Sequence, residues 1–327
     1  MVSERDDGRA RAQPKSPAVF PPTFRAGPPE EYNQGMANPS RRLPQNVAGD
    51  FFVDDSCIDC DACRQIAPAT FRDHGDASSV YRQPGTDAEV LRALMALTAC
   101  PTSSIGTTRK YDARAGVEAF PERLDGNVYF CGFTSEDSFG GWSYLVVRPE
   151  REGGNVLVDS PRFTRPLVRN IESMGGVRTI FLTHQDDVAD SDKYARHFGA
   201  TRVMHGSDGA ARLGVESVVE GEGTLSLDEQ LLVIPTPGHT RGHMVLLYKE
   251  KYLFTGDHLA WSPTRQTLTA FRSANWYSWP ETTRSMERLL AYTFEWVLPG
   301  HGRIHHDTSE GMHEHLLRCV DWMKATP

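Results

Sequence analysis

Thr183-His184-Gln185-Asp186-Asp187-Val188-Ala189-Asp190 is the stretch on which the reading of this chain turns. The apolar, β-branched and aromatic run Thr179–Leu182 before it reads as a buried strand, so His184 sits where a strand ends and a loop can aim it into a cleft. Three later strings repeat the arrangement: Pro237-Gly238-His239-Thr240-Arg241-Gly242-His243, Thr255-Gly256-Asp257-His258 and Pro299-Gly300-His301-Gly302. A lone histidine is usually a satisfied core or surface residue, but four strings in order, each with His or Asp after a strand signal, point to a metal centre. Imidazole suits zinc and iron, carboxylate favours harder ions, and the neighbouring glycines let the backbone turn tightly around the site.

Working outward, strand signals at Asn127–Phe133, Ser143–Arg148, Val156–Val158, Leu231–Pro235, Met244–Tyr248 and Tyr252–Phe254 alternate with helical patterns near 163–174, 190–198, 281–292 and 309–325, which predicts an α/β fold. Over residues 125 to 305 the four strings resemble the metallo-β-lactamase superfamily. That resemblance implies an αββα sandwich with the site at one edge, between the sheets. By matching position it makes His184 and His239 ligands of a first metal, Asp257 a bridge and His301 a ligand of a second.

The family's first string normally reads His-x-His-x-Asp-His, and here its second His falls on Asp186, its Asp on Val188 and its last His on Ala189. Val and Ala cannot bind metal, so strict register leaves the second site only Asp257 and His301. With two extra residues in the loop, Asp190 replaces the missing Asp and Ser191 takes the last His position. The ligand set expected is therefore His184, Asp186, Asp190, His239, Asp257 and His301, holding one or two further ions, Fe or Zn. Asp187 and Asp190 are three apart and can share a helical face, although an acidic helix start is the plainer account of each. His243 and His258 read as outer groups or satisfied structural histidines, and Asp159 equally as the direct acceptor of a ligand histidine's second N–H or as a strand-end turn residue. The aromatics of Arg272–Trp279 either wall the cleft or pack beneath the following helix.

A second signal lies upstream. Cys57-Ile-Asp-Cys60-Asp-Ala-Cys63 is C-x2-C-x2-C, and Cys100 stands directly before Pro101 after a helical run, Asp87 to Leu97. Three thiolates from one loop and a distant fourth suit a cubane cluster, whereas zinc knuckles usually use paired C-x2-C units. The arrangement resembles the single-cluster bacterial ferredoxins over about 60 residues, implying an α+β module with a 4Fe-4S cluster on Cys57, Cys60, Cys63 and Cys100. Asp59 and Asp61, beside the cluster, are expected to lower its potential by charge repulsion. Cys131 and Cys319 lack partners at ligand spacing and read as core thiols.

Residues 1–46 hold eight of the 21 prolines without apolar periodicity and read as a disordered tail. The expected organisation is then a ferredoxin-like domain over 47–110, a linker over 111–124 and the larger domain over 125–327. A net charge of -8 offers no attraction to nucleic acid or anionic membrane. No stretch approaches the roughly 18 apolar residues of a membrane span, and acidic residues among the first 31 argue against a transit peptide. A cytoplasmic protein is expected, its partners being a small-molecule substrate and an electron-donor reductase.

The leading expectation for function is redox chemistry at non-haem iron fed by the cluster, Asp186 resembling the carboxylate substitution of flavodiiron sites. The alternatives are metal-dependent hydrolysis of an ester, thioester, lactone or phosphodiester, with a structural or regulatory cluster, and a non-catalytic electron carrier or redox sensor.

Overall fold

The computed structural model describes residues 37–326. Most of the segment read as a tail, residues 1–36, lies outside the described residues. Residues 37–46 do not continue it: Asn38 N–H donates to Asp54 Oδ2 (2.7 Å), Leu43 N–H to the Val53 carbonyl (3.0 Å), and the Asn46 side chain accepts from Val53 N–H (3.0 Å) and Val80 N–H (2.9 Å). One amide side chain thus satisfies backbone groups of two separate strands, a tertiary role that proline-rich composition hides.

The module that follows pairs Phe51–Val53 with Ile105–Thr107, adds the hairpin Phe71–Asp73 with Ser78–Val80, and packs helices α1 (Ala62–Ile66) and α2 (Asp87–Ala99) on them. Helix α2 starts where Thr86 Oγ1 accepts Glu89 N–H (3.2 Å), with Asp87 and Glu89 in its first turn, and ends at Cys100. Capping at one end and Pro101 beyond the other therefore fix where the fourth cysteine stands.

The stretch read as a linker is built into the fold. Helix α3 (Arg114–Glu118) lies against α2, with Gly116 on the Leu94 backbone, and Glu122–Asp125 pairs with Val128–Phe130 as the edge of a sheet. That seven-stranded sheet runs Ser217–Val219, Thr201–His205, Thr179–Phe181, Val156–Val158, Tyr144–Val146, Val128–Phe130, Glu122–Asp125 from edge to edge. A six-stranded sheet runs Leu225–Asp228, Leu231–Pro235, Met244–Tyr248, Tyr252–Gly256, Trp296–Pro299, His305–His306.

Alternation along Met244–Tyr248 shows how the layers form. Met244, Leu246 and Tyr248 join the core shared with the seven-stranded sheet, while Val245 and Leu247 join a second core that includes Met286 and Leu289 of α6 (Trp279–Leu289) and Met312, Leu316 and Val320 of α7 (Ser309–Ala325). A period of two buried on both faces is what an inner sheet of an αββα sandwich requires. Helices α4 (Arg165–Ser173) and α5 (Ser191–Phe198) belong to the other half, with Leu167, Ile171 and Tyr194 in the first core. The sheets are also tied by Tyr144 Oη donating to the Pro299 carbonyl (2.6 Å) and Asn127 Nδ2 to Tyr248 Oη (2.8 Å). Cys131 and Cys319 are fully buried in these cores. No helix among the described residues is long and apolar enough to cross a membrane.

Candidate metal centre

His184, His239, Asp257 and His301 all lie just beyond strand ends at one edge of the sandwich. His184 Nε2 is 3.7 Å and His239 Nε2 3.7 Å from Asp257 Oδ2, and His301 Nε2 is 3.9 Å from the same oxygen. Asp186 Oδ2 stands 3.9 Å from His184 Nε2 and 3.6 Å from His239 Nε2. These separations are long for direct hydrogen bonds. They suit shared coordination, because two ligands each about 2.1 Å from one ion at tetrahedral angles lie about 3.4 Å apart. The buried atoms His184 Nε2, His239 Nε2, Asp187 Oδ2 and Asp257 Oδ1 have no hydrogen-bond partner. Orphaned polar atoms converging from separate loops are otherwise costly, so the donor set fits a bound cation.

Two groups of ligand atoms form, His184 with His239 and Asp257, and Asp187 with Asp257 and His301, the atoms of each within 4.8 Å of one another. Asp257 is common to both, as a bridge must be. The second group corrects the sequence reading, in which Asp190 supplies the missing carboxylate. Asp190 Oδ2 accepts Phe163 N–H (2.7 Å) and its Oδ1 pairs with Lys193 (2.6 Å), so it anchors the start of α5. Asp187, not Asp190, stands in the second group of candidate ligand atoms. Gln185–Asp187 form a 3-10 turn, and at three residues per turn consecutive side chains splay about 120° apart. Asp186 therefore reaches the first group and Asp187 the second, while Val188 packs on the core. The adjacent Asp-Asp pair is the signal that sequence reasoning could have used. Asp187→Ala is expected to halve the metal bound outside the cysteine module, whereas Asp190→Ala leaves it intact and lowers stability by about 1 kcal/mol. Metal content and thermal melting check both.

Charge crowding is consistent with this. Burial, then the neighbouring Asp257 and Asp159, push the Asp187 carboxyl well above its usual range. Burial depresses His184 to about 4, which keeps its imidazole neutral and available to a metal. Outer contacts fix the ring: Thr183 Oγ1 lies 2.9 Å from His184 Nδ1 and donates to Asp159 (3.0 Å). Asp159 thus acts on the ligand through Thr183, not directly as read. Asp208, absent from the sequence reading, accepts from Gln185 N–H (3.1 Å), Thr240 Oγ1 (2.5 Å) and Gly242 N–H (2.6 Å), stapling the His184 loop to the His239 loop. Asp208→Ala is expected to weaken binding of the first metal by about 10–100-fold, the usual loss for an outer partner, measured by competition with a chelator.

In the other module Cys57, Cys60, Cys63 and Cys100 line one cavity and none forms a disulfide. Ser78 N–H points at Cys57 Sγ (3.5 Å) and Ser104 N–H at Cys100 Sγ (3.3 Å). Burial pushes the Cys60 thiol up to about 12, so four thiolates stand together here only around a cationic group, and the set fits an iron–sulfur cluster. Asp59 and Asp61 are both paired with Arg64, and Asp61 also with Arg303 Nη2 (3.2 Å). Both carboxylates therefore carry guanidinium partners, whose positive charge opposes the repulsion expected of them.

A profile described as the metallo-beta-lactamase superfamily matches residues 137–301. This chain belongs to that superfamily. Residues 53–107 match the 4Fe-4S single cluster domain of ferredoxin I, which contains all four cysteines of the cavity. The hydroxyacylglutathione hydrolase of Buchnera aphidicola is 32% identical over 121 residues, 36% of this chain and 47% of that protein. The enzyme of the same name from Mesorhizobium japonicum is 32% identical over 128 residues, 38% of this chain and 48% of its own length. The chain spans about half the length of the curated relatives it matches. Among solved structures, ETHE1 from Myxococcus xanthus aligns at 20% identity over 59% of this chain and 84% of that one, with a TM-score of 0.44. The superfamily domain and the ferredoxin-type module meet closely: Thr134 N–H and Oγ1 both donate to the Ala99 carbonyl (3.2 and 2.7 Å), and Arg162 Nη2 to the carbonyls of Thr98 and Cys100 (3.1 Å each).

Proposed function

We propose that this superfamily member is an oxidoreductase acting at a non-haem iron centre supplied with electrons by its own cluster. When bound, a reducible cluster and two irons would supply one-electron chemistry beside the substrate. The observation that carries the reading is a pair of adjacent glycines. A Cβ built at Gly140 would stand 2.7 Å from Cys60 Sγ, and one at Gly141 would stand 2.8 Å from Asp187 Oδ1. Cys60 Sγ and Asp187 Oδ1 are therefore no more than about 12 Å apart, since adjacent α-carbons are 3.8 Å apart. That is short enough for electrons to tunnel through protein during turnover. The same loop donates Trp142 N–H to the Gly300 carbonyl (2.8 Å), next to His301. A cluster with only a structural role would not require this proximity. Three carboxylates against three histidines also suit iron.

The names of the curated relatives favour a second reading, hydrolysis of a hydroxyacylglutathione-like substrate, in which the centre would hold zinc and the cluster would be a structural element. Metal analysis of anaerobically purified protein, with an assay on a hydroxyacylglutathione thioester, separates the two. Iron beyond the amount in the cluster and no thioester cleavage is the expected result. Zinc in the centre with rapid cleavage would replace the redox reading by the hydrolytic one.

A further inference from the structure

Three aromatic side chains break the pattern of burial, and two of them, Phe139 and Trp276, stand beside histidines of the metal centre. Phe139 is 55% exposed, Trp276 66% and Tyr277 49%, whereas most large apolar side chains of the described residues are covered. The Phe139 ring lies 6.2 Å from that of His301, and the Trp276 ring 6.1 Å from that of His239. Phe139 and Trp276 thus each accompany a histidine from a different group of candidate ligand atoms. Their positions are fixed by backbone: the Trp276 and Tyr277 N–H groups both donate to the His239 carbonyl (3.0 Å each), and Phe139 N–H to the Glu136 carbonyl (3.0 Å).

Phe139 also has φ +47°, a left-handed conformation unfavourable for a bulky residue and tolerated where surrounding structure imposes it, often at ligand sites. Trp279, from the same segment as Trp276, behaves differently. Its ring packs on Trp322 (5.8 Å) and its Nε1 donates to the Thr326 carbonyl (2.8 Å). The aromatics of 272–279 therefore divide into one that supports the fold and two that face solvent, Trp276 beside His239. Asp186 of the first group is 44% exposed, and Arg303 is held by Asp61.

From this we infer that the centre takes a small molecule whose metal-binding end carries a flat aromatic or similarly apolar arm, held by Phe139 and Trp276. The inference rests on the metal centre, but not on which ion it holds or which reaction it runs. Rings presented to water next to ligands gain their stabilisation when a substrate covers them.

The test uses two metal chelators that differ only in the arm, benzohydroxamate and acetohydroxamate, titrated calorimetrically into the full metal-loaded chain. Benzohydroxamate is expected to bind at least about tenfold tighter, the worth of burying part of a phenyl ring. Phe139→Ala and Trp276→Ala are each expected to remove most of that preference and leave acetohydroxamate affinity unchanged. Equal binding of the two chelators by the wild type, or a preference that survives in both variants, overturns the proposal. So does equal weakening of both chelators in the variants, which would make the rings supports of the centre. Binding of neither chelator would remove the metal centre itself, while aromatic preference at a zinc centre would keep this inference and defeat the redox reading.

Discussion

Gly140→Ala is expected to strip or distort the cluster and to lower stability by about 3 kcal/mol or more, roughly twice the effect of Gly214→Ala. Both glycines have positive φ, +82° and +62°, so both variants incur the left-handed penalty of roughly 1–2 kcal/mol for an L-residue. They differ in surroundings. A Cβ at Gly214 meets nothing within 4 Å, whereas at Gly140 it would stand 2.6 Å from Cys60 Cβ and 2.7 Å from Cys60 Sγ. A cluster ligand cannot yield by several tenths of an ångström without moving its metal, so the strain falls on the cluster. Visible absorption and melting temperature of the two variants side by side report both effects. A Gly140→Ala protein as stable as Gly214→Ala, with unaltered absorption, would mean that the two modules do not approach as closely as described.

Asp257→Ala is expected to abolish metal binding in the superfamily domain while leaving the cluster intact. Its Oδ2 is within 3.9 Å of all three ligand histidines, and it belongs to both groups of ligand atoms. Removing it takes a ligand and a negative charge from each ion at once, so the loss should exceed the 10–100-fold typical of an outer partner at either site. Asp187→Ala affects one group only. Metal content after dialysis against a chelator should therefore fall in the order wild type, Asp187→Ala, Asp257→Ala. Retention of both ions in Asp257→Ala would refute the bridging role.

Much of this centre is legible in the sequence because its ligands follow strands that are apolar and uninterrupted. Leu231–Pro235 and Met244–Tyr248 occur in the structure with the bounds the sequence suggests, and His239 is placed by the turn between them. The first loop was harder. Pattern matching assigns ligands by register, but a 3-10 turn rotates successive side chains by a third of a circle, and this handed the second carboxylate to Asp187 instead of Asp190. Asp208 was invisible for another reason: its three hydrogen bonds join segments 23 to 34 residues away, and no local pattern encodes them. Nothing in the sequence alone marks the glycine pair at 140–141. Its meaning comes from what lies on either side, Cys60 and Asp187, which only the folded chain brings together.

The central claim, that electrons pass from the cluster to the metal centre, is tested most directly by Mössbauer spectroscopy of protein grown on 57Fe and reduced stepwise without oxygen. The predicted result is high-spin iron in addition to the cluster, absent in Asp257→Ala, that becomes ferrous readily in the wild type and much more slowly in Cys63→Ser, where the cluster is lost. A spectrum in which the cluster accounts for all the iron, or centre iron reduced equally fast without the cluster, would contradict it.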